Sequence, residues 1–148
     1  MVDSSRIGHT YAPYAVDVTA EDILRFAAAI GETRPEYVDA ATARAAGHPG
    51  PPIPPTFAVC LEMKRPNPFE WLRELGIDLT LVLHGAQSFR VFAQACAGDR
   101  LTFVARIADI AVRRKGALTV IVRETDVTNQ RREDIMRFRS TVIVRAAG

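Results

Sequence analysis

Cysteine is scarce in this chain of 148 residues: only Cys60 and Cys96 occur. Two thiols are too few for a disulfide framework or a zinc site, so they read as buried or inert thiols in a reducing cytoplasm. Lysine is scarcer than its charge suggests. Lys64 and Lys115 are the only two among 19 basic residues, so nearly every cation is an arginine. That composition suits fixed, two-pronged contacts with phosphate or carboxylate, and codon usage explains it equally well. No apolar run approaches the roughly 20 residues that a membrane-spanning helix needs. The opening Met1-Val2-Asp3-Ser4-Ser5-Arg6 is polar and leads into no apolar stretch, so no signal peptide is expected. A net charge of +2 without interleaved aromatics argues against nucleic-acid binding.

What remains is an ordinary globular composition, 48% hydrophobic and 24% charged, in a length that suits one domain over residues 1–148. A chain of this size can hold a core without disulfides or metal, and no cofactor or metal is expected.

The pattern changes near residue 78, from helices broken by proline to strands and tight turns. A helix is predicted from Ala20 to Ile30. Thr19 caps it, Glu21 and Asp22 sit in its first turn, Ile23, Phe26, Ala27 and Ile30 share one face, and Gly31 ends it. A second helix is predicted from Pro35 to Ala46, stopped by Gly47. Five of the nine prolines then crowd into residues 48–55, which must form a stiff extended loop. With Thr56 as its cap, Phe57–Met63 reads as a buried helix, apolar on nearly all sides. Asn67-Pro68 opens a short helix that Gly76 ends.

Four strands are predicted after that: Leu79–Ala93, Leu101–Arg113, Ala117–Val127 and Ile135–Ala146. In the last, Met136, Phe138, Ser140, Val142 and Val144 alternate with Arg137, Arg139, Thr141 and Arg145. Strands of about 13 residues at about 3.3 Å each must curve. The expected architecture is therefore α+β, a long curved antiparallel sheet wrapped around a central hydrophobic helix.

Four local patterns resemble the MaoC-like hydratase/dehydratase family of the hot-dog fold, in its N-terminal, fatty acid synthase-like dehydratase branch. They are Phe26–Glu32 with Pro35–Asp39, Pro54-Pro55-Thr56-Phe57, Leu83–Phe89 with Gly98–Leu101, and Val127-Thr128-Asn129-Gln130. The resemblance implies an acyl thioester of coenzyme A or acyl carrier protein as substrate. It implies reversible hydration of a 2,3-enoyl thioester, in a homodimer or a heterodimer with another hot-dog protein. Catalytic members carry a Gly-Asp-x-Asn-Pro-x-His run. Here it is Gly31-Glu32-Thr33-Arg34-Pro35-Glu36-Tyr37, with Glu32 in place of Asp and Tyr37 in place of His. Tyrosine, with an ordinary pKa near 10, replaces imidazole poorly near neutral pH.

The candidate catalytic residues are thus His84, Glu32 and Tyr37. His84 offers acid–base chemistry or a donor to the thioester, and equally reads as a core histidine bonded to backbone. The candidate substrate-binding residues are Pro55, Thr56, Phe57, Gly85 and Gln87. The helix end at Phe57 can present free N–H groups to a carbonyl, and Gly85 permits close approach of a ligand or backbone. Arg113, Arg114, Arg131, Arg132, Arg137, Arg139 and Arg145 form either a basic rim for phosphates or an acidic carrier, or a solvated sheet face.

Two functional versions follow: an (R)-specific enoyl-thioester hydratase or 3-hydroxyacyl-thioester dehydratase active as a homodimer, or its acyl-binding subunit beside a partner that holds the Asp/His pair. The replacement of His by Tyr37 favours the second. The alternatives are a non-catalytic acyl-thioester binding module and a hot-dog thioesterase.

Overall fold

Residues 2–146 are described by the computed structural model. Helix α1 spans Ala20–Ile30, as its sequence signals require. The Thr19 hydroxyl accepts from the Asp22 amide, and Gly31 closes the helix in the left-handed region at φ 72°. The second helix is not continuous. It splits into α2 (Pro35–Val38) and α3 (Ala40–Ala45), because Asp39 adopts an extended conformation. The Asp39 side chain accepts from the amide and hydroxyl of Thr42 at 2.6 Å each, so it caps a new helix where continuation was expected.

Helix α4 (Phe57–Glu62) follows the proline loop. Its expected cap is corrected here: Thr56 is itself helical (φ −78°, ψ −12°) and makes no capping bond through its side chain. The helix is also less enclosed and less apolar than its sequence suggests. Phe57, Ala58, Leu61 and Glu62 are buried, whereas Cys60 is exposed and Met63 is 41% exposed. One curved sheet covers only one side of a helix, and the other side meets solvent in this chain. Helix α5 (Glu70–Glu74) comes next.

Five strands form one antiparallel sheet: β1 (Tyr14–Asp17), β2 (Val82–Val91), β3 (Arg100–Arg113), β4 (Leu118–Thr128) and β5 (Asp134–Arg145), in the order β1-β3-β4-β5-β2. Short β1 is an addition to the four expected strands. It pairs with the start of β3 and is too short to show an alternating pattern. The predicted first strand begins late, because Asp78 caps a 3-10 turn over Leu79–Leu81. Among the described residues, β2 pairs only with β5, so one whole side of a ten-residue strand keeps unpaired backbone groups.

The concave face of the sheet holds two apolar clusters. One packs α1 and α4 on Leu101, Phe103, Val127 and Phe138. The other packs Trp71, Leu72 and Ile77 on Ile107, Ile121, Val142 and Val144. Between them the inward-facing positions turn polar. Along β4 the inward-facing sequence runs Ile121, Arg123, Thr125, Val127, and along β5 it runs Phe138, half-buried Ser140, Val142. Register aligns these breaks, since Arg123 lies opposite Ser140, and Ser140 lies opposite Gln87 on β2. A polar row therefore crosses three neighbouring strands, from the sheet interior to its free edge.

Candidate functional site

A cavity of about 480 Å³ opens over that row. Val59 and Glu62 of α4 with Met63 just after it form one wall, and Phe69, Trp71 and Leu72 form another. The floor is Val82, His84, Gln87, Arg123, Ser140 and Val142. Its mouth lies beside half-exposed Met63 and Phe69, and its depth lies against buried Trp71 and Leu72. The size falls within the roughly 300–1,000 Å³ of small-molecule sites.

Two buried charges meet in this largely apolar cavity. The Arg123 guanidinium donates to Glu62 in two-pronged fashion, Nη2 to Oε1 at 2.6 Å and Nη1 to Oε2 at 3.0 Å. Arg123 is 6% exposed and Glu62 4%. The guanidinium carbon also lies 5.4 Å from the Trp71 ring centroid. Burying charges this deeply is costly unless they are paired and hydrogen-bonded, and here they are. Neither residue stands out in a plain reading for motifs. Their signal is positional: an acid inside the apolar run Phe57–Met63, and an arginine on the inward-facing positions of β4.

At the edge of the row, Gln87 Oε1 accepts from the Ser140 hydroxyl at 2.7 Å and lies 3.3 Å from His84 Nε2. His84 is exposed on β2, not enclosed as a core histidine. His84 and Gln87 are thus brought together in the cavity.

The other expected site residues lie elsewhere. Glu32 follows the left-handed turn at Gly31 and is locked by its neighbour. Its Oε1 accepts from the Arg34 amide at 3.0 Å and from Arg34 Nε at 3.1 Å, and its Oε2 accepts from Nη2 at 2.8 Å. These bonds to the Arg34 side chain and backbone lower its pKa to about 2. The same guanidinium lies 4.7 Å from the centroid of Tyr37, which is 9% exposed. Arg34 therefore clamps Glu32 and Tyr37 into a self-contained turn, and neither lines the cavity.

Pro55 and Thr56 are exposed and also lie outside the cavity lining. Phe57 is core, stacked on Phe26 at 4.7 Å between centroids. Gly85 sits at a bulge in β2, between His84 and Ala86. A Cβ there would lie 3.1 Å from the Ile143 side chain, so the space its small size leaves is filled by the next strand.

On the opposite face of the sheet, buried Glu124 is bonded by Arg106 and Arg139, with Arg137 nearby and bonded to Asp126. Part of the arginine cluster is thus internally neutralised. Among the described residues no cluster of potential metal ligands occurs, and no helix is long and apolar enough to cross a membrane.

This geometry can be set beside known proteins. A family model for the FAS1-like dehydratase domain region matches residues 5–138. The chain belongs to that family. A UPF0336 protein of Streptomyces griseus is 35% identical over 147 residues, covering 99% of this chain and 97% of its own length. Among solved structures, the fold matches the HadBC (3R-hydroxyacyl-ACP dehydratase) complex of Mycobacterium tuberculosis. The TM-score is 0.81 at 21% identity, over 93% of this chain and 96% of that one. It also matches a MaoC-like dehydratase with a TM-score of 0.82 at 25% identity, over 97% of this chain and 43% of that longer one. The fold is the hot-dog fold of the MaoC-like dehydratases.

Proposed function

We propose that this chain is the acyl-binding subunit of a heterodimeric (R)-specific enoyl-thioester hydratase, or 3-hydroxyacyl-thioester dehydratase, acting on coenzyme A or carrier-protein thioesters. The observation that carries the reading is the Arg34 clamp. Water addition needs a base that can take a proton near neutral pH and an acid that can return it. Glu32, with both oxygens engaged and a pKa of about 2, is far too weak a base. Tyr37 is buried beneath the same guanidinium. The family's catalytic run is present in position and disarmed in chemistry.

The cavity, by contrast, is whole within one chain and suits an acyl group. In this reading the acyl group lies along the floor of the cavity and His84 donates to the thioester at its exposed end. The Asp/His pair comes from a second hot-dog protein. The unpaired side of β2, flanked by exposed Leu83, Val91 and Phe92, is the face such a partner covers. The two unpaired thiols fit work in the cytoplasm.

The test is a hydration assay on 2-enoyl-CoA substrates, following loss of the enoyl absorbance. The chain alone is expected to be inactive. Mixed with a hot-dog protein carrying an intact Gly-Asp-x-Asn-Pro-x-His run, it is expected to turn over. Activity of the lone chain would establish the homodimer instead, and release of free thiol with the enoyl absorbance intact would establish a thioesterase.

A further inference from the structure

We propose that the turn between β3 and β4, with the end of β5 beside it, is a docking surface for an acidic carrier protein, so that this chain takes its acyl group from a carrier protein in preference to coenzyme A. This rests on the acyl-thioester reading above and names the partner that delivers the thioester.

Many cations of this protein already have an acid. Arg25 pairs with Glu21, Arg34 with Glu32, Arg100 with Asp17, Arg131 with Glu133 and Arg137 with Asp126. At the β3–β4 turn that pattern breaks. Arg113, Arg114, Lys115 and Arg145 are exposed, and none of them forms an ion pair among the described residues. Register gathers them. Arg113 lies opposite Leu118 on β4, and Leu118 lies opposite Arg145 on β5, so two cations flank Leu118 and the turn adds two more. The backbone marks the same turn. Arg114 and Lys115 both hold positive φ, at 49° and 54°, ahead of Gly116 at 96°. Glycine or asparagine takes that region at less cost, so two long cations are an expensive way to make a turn.

Like charges gathered this way repel one another, and an anionic partner relieves the repulsion. Four exposed cations spread over a turn and a strand end match the acids of a protein surface better than one phosphate, which is suited by donors converging on a point. A membrane anchor needs exposed aromatic or leucine side chains, and Val112 is the one exposed large apolar residue of this turn. Residues 110–120 contain no aromatic on which a nucleic-acid base could stack. The position suits delivery as well. Arg145 lies three residues beyond Val142 of the cavity floor, about 10 Å along β5.

The test measures binding to the full chain by calorimetry with three probes: an acidic bacterial acyl carrier protein bearing a decanoyl thioester, decanoyl-CoA, and vesicles of phosphatidylglycerol. Charge is reversed at the turn in Arg113→Glu/Lys115→Glu and separately on β5 in Arg145→Glu, which keeps the test decisive if the turn variant does not fold. Wild type is expected to bind the decanoyl carrier protein more tightly than decanoyl-CoA. The turn variant is expected to bind the carrier about tenfold more weakly, Arg145→Glu to weaken it in the same direction, and both to hold decanoyl-CoA within about twofold of wild type. Added salt is expected to weaken the carrier complex of wild type more than that of the turn variant. Equal weakening of both thioesters, weakening of neither, or tighter binding of decanoyl-CoA to wild type overturns the proposal and leaves the acyl reading standing. Charge-dependent binding of the vesicles without charge-dependent binding of the carrier overturns it in favour of a membrane. Failure of wild type to bind either thioester overturns the acyl reading, and the proposal with it.

Discussion

Removing the Glu62 carboxylate is predicted to be among the most damaging single changes to this protein. Glu62→Ala leaves the Arg123 guanidinium 6% exposed, without its two bonds at 2.6 and 3.0 Å. Its Nε has no hydrogen-bond partner among the described residues to begin with. An uncompensated buried charge costs about 3–5 kcal/mol. For a chain of this size each kcal/mol moves the melting temperature by about 2–4 °C. A fall of about 10 °C is the central expectation. Glu62→Leu/Arg123→Met removes both charges and fills the space with apolar atoms. It is predicted to lie within about 1–2 kcal/mol of wild type, because an apolar replacement of a buried pair is often neutral. The measurement is urea unfolding of Glu62→Ala, of the single variants Glu62→Leu and Arg123→Met and of the double variant, followed by circular dichroism at one fixed protein concentration, since self-association would shift the midpoint. A double variant as unstable as the sum of the singles would refute this account of the pair. So would Glu62→Ala costing less than about 1 kcal/mol.

Three further outcomes are expected. By carboxylate NMR, Glu32 should titrate with a midpoint near 2 in wild type, and Arg34→Ala should raise it toward the ordinary value. The folded pKa is the lowered one, so the stabilisation from this group is full above the unfolded value of about 4.5 and is lost as pH falls toward 2. Asp39→Ala, which removes the cap of α3, should cost about 1 kcal/mol in thermal melts with no change in ligand binding. His84→Ala should lower kcat/KM of the mixed complex about tenfold, as the loss of one hydrogen bond to substrate would. Its exposed position predicts a stability change within about 0.5 kcal/mol.

The sequence makes some of this structure legible for local reasons. Thr19 and Gly31 bracket α1 because caps depend on nearby backbone, and the alternation from Met136 to Arg145 reads directly as a strand buried on one face. The break at Asp39 is less visible, because an aspartate that caps a new helix has the same identity as one inside a helix. Strand β1 is held by its register with β3, a long-range fact. The site divides the same way. His84 is legible as a polar residue in an apolar strand. Arg123 and Glu62 are 61 residues apart and become a pair only when the sheet curves α4 over β4. Arg34 looks like an ordinary loop cation until its guanidinium is seen to hold Glu32 and cover Tyr37.

The central claim is that this chain binds the acyl group and a partner supplies the proton chemistry. The most direct measurement is kcat for 2-enoyl-CoA hydration by the mixed complex, with the carboxylate changed in one chain at a time. Asp→Asn in the partner's Gly-Asp-x-Asn-Pro-x-His run is predicted to abolish turnover, whereas Glu32→Gln in this chain is predicted to leave kcat within about twofold, less than a general base contributes. Loss of turnover in Glu32→Gln, with the partner's Asp→Asn variant still active, would contradict the account.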